Sequence, residues 1–173
     1  LAGLAAEKDA LETLSLIHTL EDRSTWAANW KKGTENWDKP YAMDFYFPDR
    51  RTAVDIKFKS LNQQYQSFAL DKDHYDKYQV YIDTYHDVNK GILWYIERTS
   101  KREYLLEMDH MKNCIERGMI QLRAGHKDYI RKGSSGQYYA IPLDCFKDIT
   151  DEEWSVTGIK KRDSAAANPF TKL

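Results

Sequence analysis

Tyr41-Ala42-Met43-Asp44-Phe45-Tyr46-Phe47 and Thr52-Ala53-Val54-Asp55-Ile56-Lys57-Phe58, separated by Pro48-Asp49-Arg50-Arg51, decide how this chain folds. Both runs alternate in the way of half-buried strands, and the segment between them has turn chemistry, so together they predict a β-hairpin. A turn centred between Asp49 and Arg50 makes paired positions sum to 99, which sets Asp44 opposite Asp55 and Phe45 opposite Val54. Side chains alternate across a strand. Tyr41, Met43, Phe45, Phe47, Val54, Ile56 and Phe58 then form an oily face, while Ala42, Asp44, Tyr46, Ala53, Asp55, Lys57 and Lys59 share the other.

Directly opposed carboxylates repel. A hard divalent cation between them would remove the repulsion, because such ions take oxygen ligands from one or two carboxylates together with water and phosphate. Lys57, two residues beyond Asp55, lands beside the same spot, where an ammonium can orient a water or offset charge on a phosphate. The bland alternative is a solvated charged sheet face, since acidic-x-Lys triplets arise by chance in a chain with 31% charged residues. Here the triplet falls inside a strand and faces another aspartate. If repulsion between the carboxylates is the governing force, Asp55→Ala leaves stability unchanged or slightly higher.

Asp44, Asp55 and Lys57 together resemble the site of the PD-(D/E)XK nuclease superfamily, which includes restriction endonucleases, archaeal Holliday-junction resolvases and phage exonucleases. Asp44 matches the first aspartate, Asp55 the second acidic position and Lys57 the lysine, although Met43 stands where the family's proline would. The resemblance covers residues 4 to 97 as a pattern of elements. It implies a mixed α/β fold with an αβββαβ core, catalysis by Asp44, Asp55 and Lys57, and a Mg²⁺ or Mn²⁺ cofactor held by Asp44, Asp55, the Ile56 carbonyl and an early-helix glutamate. Glu7, on the apolar stripe Leu4, Leu11, Leu14 and His18 of an expected helix over 3–21, is the choice for that glutamate, with Glu12 and Glu21 as competitors. A carboxylate on such a stripe is costly unless something compensates it.

The elements that follow fit the same order. Asn62 to Ser67 reads as a polar connector, Asp71 as the N-cap of a helix to about Tyr85 with Tyr75, Tyr78, Ile82 and Tyr85 as its stripe, and Ile92 to Ile96 as a doubly buried strand. Trp26 to Trp30 fits either a first sheet strand or a turn of helix. The remainder is an appendage: a strand over 103–108, a helix over 111–117 capped by Asp109, and a hairpin whose strands are Tyr129-Ile130 and Tyr138 to Ile141. Tyr139-Ala140-Ile141-Pro142-Leu143 resembles the closing strand of several members of the superfamily. Arg131 and Lys132 at that hairpin's tip, with Lys59 and Gln63 near the site strand, are candidate nucleic-acid contacts.

At 173 residues the chain is expected to form one domain, 1–154, with a tail over 155–173. A net charge of −1 argues against a protein that is basic as a whole, so nucleic acid, with DNA as the expected polymer, would have to be met by local clusters. No apolar stretch has the length of a membrane span, and Cys114 and Cys145 lack metal-site spacing, which suits reduced thiols in a cytoplasmic protein. Two further readings stay open beside the nuclease: a catalytically inactive nucleic-acid-binding module on the same fold, and a protein-interaction domain using its 12 tyrosines and 5 tryptophans. Association into a homodimer is compatible with each.

Overall fold

A computed structural model of the chain describes residues 21–22, 43–47, 51–125 and 135–151. Among these, the element order is β1 (Glu21–Asp22), β2 (Phe45–Phe47), β3 (Thr52–Lys59), β4 (Ser67–Asp71), α1 (Lys72–Thr84), β5 (Lys90–Glu97), β6 (Glu103–Glu107), α2 (Met108–Glu116), β7 (Gln121–Ala124), β8 (Gln137–Pro142), a 3-10 turn (Leu143–Cys145) and β9 (Lys147–Asp148). The architecture is mixed α/β. One sheet has the order β1-β2-β3-β5-β6-β9 and a second the order β4-β8-β7.

β2 and β3 pair antiparallel with Phe45 opposite Val54, Tyr46 opposite Ala53 and Phe47 opposite Thr52, the register expected from the turn. β3 and β5 run parallel, which obliges the chain to cross over between them, and β4 and α1 form that crossover. Asp55 lies beside Leu93 and Lys57 beside Tyr95, while β6 extends the same rows with Leu106 and Tyr104. The face bearing Asp55 and Lys57 therefore also bears Ala53, Leu93, Tyr95, Tyr104 and Leu106.

That face is core rather than solvated surface, contrary to the expected division into an oily and a polar side. Ala53, Leu93, Tyr95, Tyr104 and Leu106 are buried with Tyr75, Tyr78 and Tyr81 of α1 and Phe68 and Leu70 of β4. The reverse face, with Val54, Ile56, Trp94 and Ile96, is buried as well. Central strands covered on both sides read as apolar runs, and an acid and a lysine inside one are costly unless they satisfy each other. Met43 joins the core cluster of Ala53 and Leu93 because the chain bends at Asp44 and strict alternation stops there.

α1 sits on the sheet through Tyr75, Tyr78 and Tyr81, with Ile82 and Tyr85 partly buried beside them. Its close approach needs Gly91 on β5, since a Cβ there would collide with the Ile82 side chain and crowd Met108. Asp71 occupies the cap position without a side-chain capping bond, because it also ends β4. Phe68 of β4 stacks between the sheets, its ring centroid 4.8 Å from Tyr95 and 5.5 Å from Phe146, and the Tyr95 hydroxyl donates to the Ala69 carbonyl at 3.0 Å.

Several expectations are corrected. Glu21–Asp22 is a short edge strand paired with Tyr46 and Phe45, not the end of a helix. Ser67, expected to end the polar connector, instead opens strand β4, which runs to Asp71 and whose apolar content is confined to Phe68-Ala69-Leu70. α2 starts at Met108, because Met108, Met111 and Cys114 already form its buried stripe, and it stops at Gly118, whose φ of 75° suits glycine. Among the described residues β8 pairs with Gln121–Ala124 and with β4, so it lies at the centre of the second sheet instead of closing the first. Cys114 and Cys145 are buried thiols packed together, and burial followed by the neighbouring thiol pushes Cys145 up to about 11. The helix over 3–21 up to residue 20, Trp26 to Trp30, Tyr129-Ile130 and the tail over 155–173 lie outside the described residues.

Candidate functional site

Asp44 and Asp55 meet, but by interlocking rather than by facing each other across the ladder. The Asp44 carboxylate reaches over to β3, where Oδ2 accepts the Ile56 N–H at 2.9 Å. In return the Asp44 N–H approaches Asp55 Oδ1 at 3.3 Å. Each carboxylate thus has a backbone donor, which offsets the repulsion that bare opposed charges would feel. A residue's N–H and C=O point to the same side of a strand, so the Ile56 carbonyl is directed toward the Asp44 side, past the end of the β2 ladder.

Asp55 is 2% exposed and Lys57 keeps 12% of its side-chain surface. They satisfy one another: Lys57 Nζ lies 3.0 Å from Asp55 Oδ2. A third group completes the arrangement. The Tyr78 hydroxyl, on α1, donates to Asp55 Oδ2 at 2.9 Å and accepts from Lys57 Nζ at 2.8 Å. A buried ion pair is tolerable only with such supporting hydrogen bonds. This reverses the stability expectation for Asp55→Ala, because removing the carboxylate would strand a mostly buried ammonium.

Tyr78 is the residue that sequence reasoning missed. Its place on the α1 stripe predicts a core side chain, and periodicity carries no signal for where the hydroxyl ends up. His74 stands one turn earlier, its ring 6.1 Å from that of Tyr78. Burial holds its pKa below the usual histidine value, the Lys57 charge pushes the same way, and Asp71 and Asp55 oppose both. Tyr95, beside Lys57 in the register, has its phenol raised well above the ordinary range by burial, with Asp55 and Asp71 adding to the effect.

The other expected site residues disperse. Lys59 is exposed at the end of β3, and Gln63 is exposed in the following turn with its amide 3.4 Å from the Leu61 carbonyl. Glu7, Arg131 and Lys132 lie outside the described residues, as does Glu12. Among the described residues, no group of three or more His, Cys, Asp or Glu side chains is arranged to hold a metal ion. A second buried carboxylate, Glu97 on β5, is engaged differently: Oε2 accepts the Leu61 N–H at 3.0 Å, and Oε1 accepts those of Thr99 and Ser100 at 3.0 and 2.9 Å.

No protein-family model matches this chain, and no curated protein matches it. It is similar to a solved structure of D212, a nuclease from a fusselovirus, at 13% identity and a TM-score of 0.43, over 94% of this chain and 90% of that one. A likeness that distant decides nothing about chemistry, which rests on the residues themselves. No helix among the described residues is long and apolar enough to cross a membrane.

Proposed function

We propose that the chain is a metal-dependent phosphodiesterase of the PD-(D/E)XK type, a nuclease that hydrolyses the backbone of nucleic acid, with DNA as the expected polymer. The observation that supports it is the meeting of Asp44, in the bend that leads into β2, with Asp55 of β3, and the Lys57 ammonium 3.0 Å from the Asp55 carboxylate. The donor chemistry fits Mg²⁺ or Mn²⁺: two carboxylates and the Ile56 carbonyl are hard oxygen donors, enough for an ion that keeps several waters. Such an ion, when bound, lowers the pKa of a coordinated water and neutralises charge at the scissile phosphate.

The chain's own groups have distinct tasks. Asp44 and Asp55 would hold the cation, and the backbone hydrogen bonds that their carboxylates accept set the spacing between them. Lys57, whose ammonium lies 3.0 Å from Asp55 Oδ2, would offset the negative charge that builds on the phosphoryl oxygens. Tyr78 is a positioning residue, which keeps the ammonium and the carboxylate in one place through a single hydroxyl.

One observation favours a competing reading, a module that binds nucleic acid or protein on this fold without cutting. Lys57 and Tyr78 already occupy Asp55 Oδ2, so a cation must share or displace them. Incubating the protein with labelled single-stranded, duplex and branched DNA in Mg²⁺, Mn²⁺ or EDTA separates the two. Cut product in the metals alone supports the nuclease; binding without product in every buffer supports the module.

A further inference from the structure

The end of the site strand is ringed by cations that the chemistry above does not use. Lys59, Arg98 and Lys101 are exposed there, and the Arg98 N–H donates to the Lys59 carbonyl at 2.9 Å, which joins the ends of β3 and β5. Arg98 Cζ lies 5.4 Å and Lys101 Nζ 4.6 Å from the centre of the Phe58 ring, so one aromatic side chain steadies two cationic ones. Alternation sends Lys59 to the Asp55 face and Phe58 to the reverse. The charges therefore surround the end of β3 and β5 instead of lining one face of the sheet.

Two acids near this end have structural tasks. Glu97 spends its oxygens on the amides of Leu61, Thr99 and Ser100, and Asp148 pairs with Arg102. Glu97 thereby builds the platform, tying the loop after β3 to the β5–β6 turn. Lys101 adds a second observation. Its φ of 62° lies in the left-handed region, where glycine is at ease and a lysine is strained. The turn carries a lysine at a position where its backbone would favour glycine.

We infer that the rim formed by Lys59, Arg98 and Lys101 around Phe58 grips the phosphate backbone of a nucleic-acid strand laid across the end of the sheet. The inference rests on the nuclease reading for its partner and deepens it by naming where the polymer is held. Four residues at about 3.3 Å each put Lys59 about 13 Å from Asp55 along β3, a few phosphates away at about 3.4 Å of duplex axis per strand phosphate. Cations that grip phosphates position the polymer and carry no base sequence. Arg98 supplies the planar fork suited to a phosphate, and Lys59 and Lys101 act as point charges.

The test is the salt dependence of binding, measured by fluorescence anisotropy of labelled duplex DNA in EDTA, for the parent and an Arg98→Ala/Lys101→Gly double variant. Each phosphate-binding cation contributes about 0.9 to the slope of log affinity against log salt, so removing two lowers that slope by about 2. The melting temperature holds or rises, because glycine relieves the strained turn. An unchanged slope in the folded variant overturns the inference, as does a parent that binds anionic lipid vesicles but not DNA. A parent that binds with the expected slope yet cuts nothing keeps the rim and removes the nuclease reading. A parent that cuts normally while the variant's slope is unchanged does the opposite.

Discussion

Asp55 and Glu97 are equally hidden, at 2% and 4% exposure, on parallel neighbouring strands, yet their surroundings give them opposite characters. Glu97 is held by amides of the backbone, which cannot move without unmaking the turn that contains them. Asp55 Oδ2 is held by the Lys57 ammonium, on a long and flexible stem, and by the hydroxyl of Tyr78, whose O–H can turn to another acceptor although its ring is fixed in the core. Burial alone therefore does not mark a reactive carboxylate. What separates the two acids is that backbone amides engage both oxygens of Glu97, whereas Asp55 has a backbone donor on Oδ1 alone and keeps Oδ2 on side-chain groups that can exchange partners.

Asp55→Asn gives the largest expected effect, a loss of cleavage of about a thousandfold or more, in line with removal of a charge that acts on the transition state. Its melting temperature also falls, because Lys57 loses its counter-ion. Circular dichroism on the same sample separates lost chemistry from lost fold. Glu97→Ala has the converse profile: a destabilisation on the order of 3 kcal/mol by urea unfolding, as several amides lose a charged acceptor, with kcat preserved wherever the protein stays folded. A collapse of kcat in folded Glu97→Ala protein would erase the distinction between the two acids.

Tyr78→Phe sharpens the comparison, since it removes one hydroxyl and leaves the ring in the core. Cleavage falls by about 10- to 100-fold, as for groups that orient a metal ligand, while stability drops by only about 1 kcal/mol. Metal affinity measured on the same variant should weaken with it; a stability loss with unaltered metal affinity would make Tyr78 a packing residue alone. The smallest effect is on acid stability. Burial raises the Glu97 pKa, but the hydrogen bonds from Ser100, Leu61 and Thr99 outweigh it and hold the group below its ordinary 4.5. The unfolded chain thus binds more protons, so this contribution is complete above 4.5 and fades as pH falls through the depressed value. Urea midpoints of Glu97→Gln across that window should show a shallower acid loss than the parent.

Much of the framework was legible because it obeys periodicity. The hairpin register followed from turn chemistry, α1 from its tyrosine stripe, and β5 from an unbroken apolar run. β4 and β7 were not legible, since Ser67–Asp71 is short and Gln121–Ala124 is an exposed edge with no buried residue to set a pattern. The nearness of Asp44, Asp55 and Lys57 could be anticipated from spacing, though not the bend at Asp44 that makes the aspartates interlock instead of facing each other across a ladder. What escaped was the burial of that face and the hydroxyl of Tyr78, because both depend on how the crossover helix and second sheet settle over β3, a long-range matter that no local pattern encodes.

The claim at the centre is that the interlocked aspartates share one hard cation. Calorimetric titration of Mn²⁺ into the parent and into folded Asp55→Asn protein tests it most directly. Saturable heat in the parent, lost in the variant, is the predicted result; equal weak heats in both proteins would contradict it.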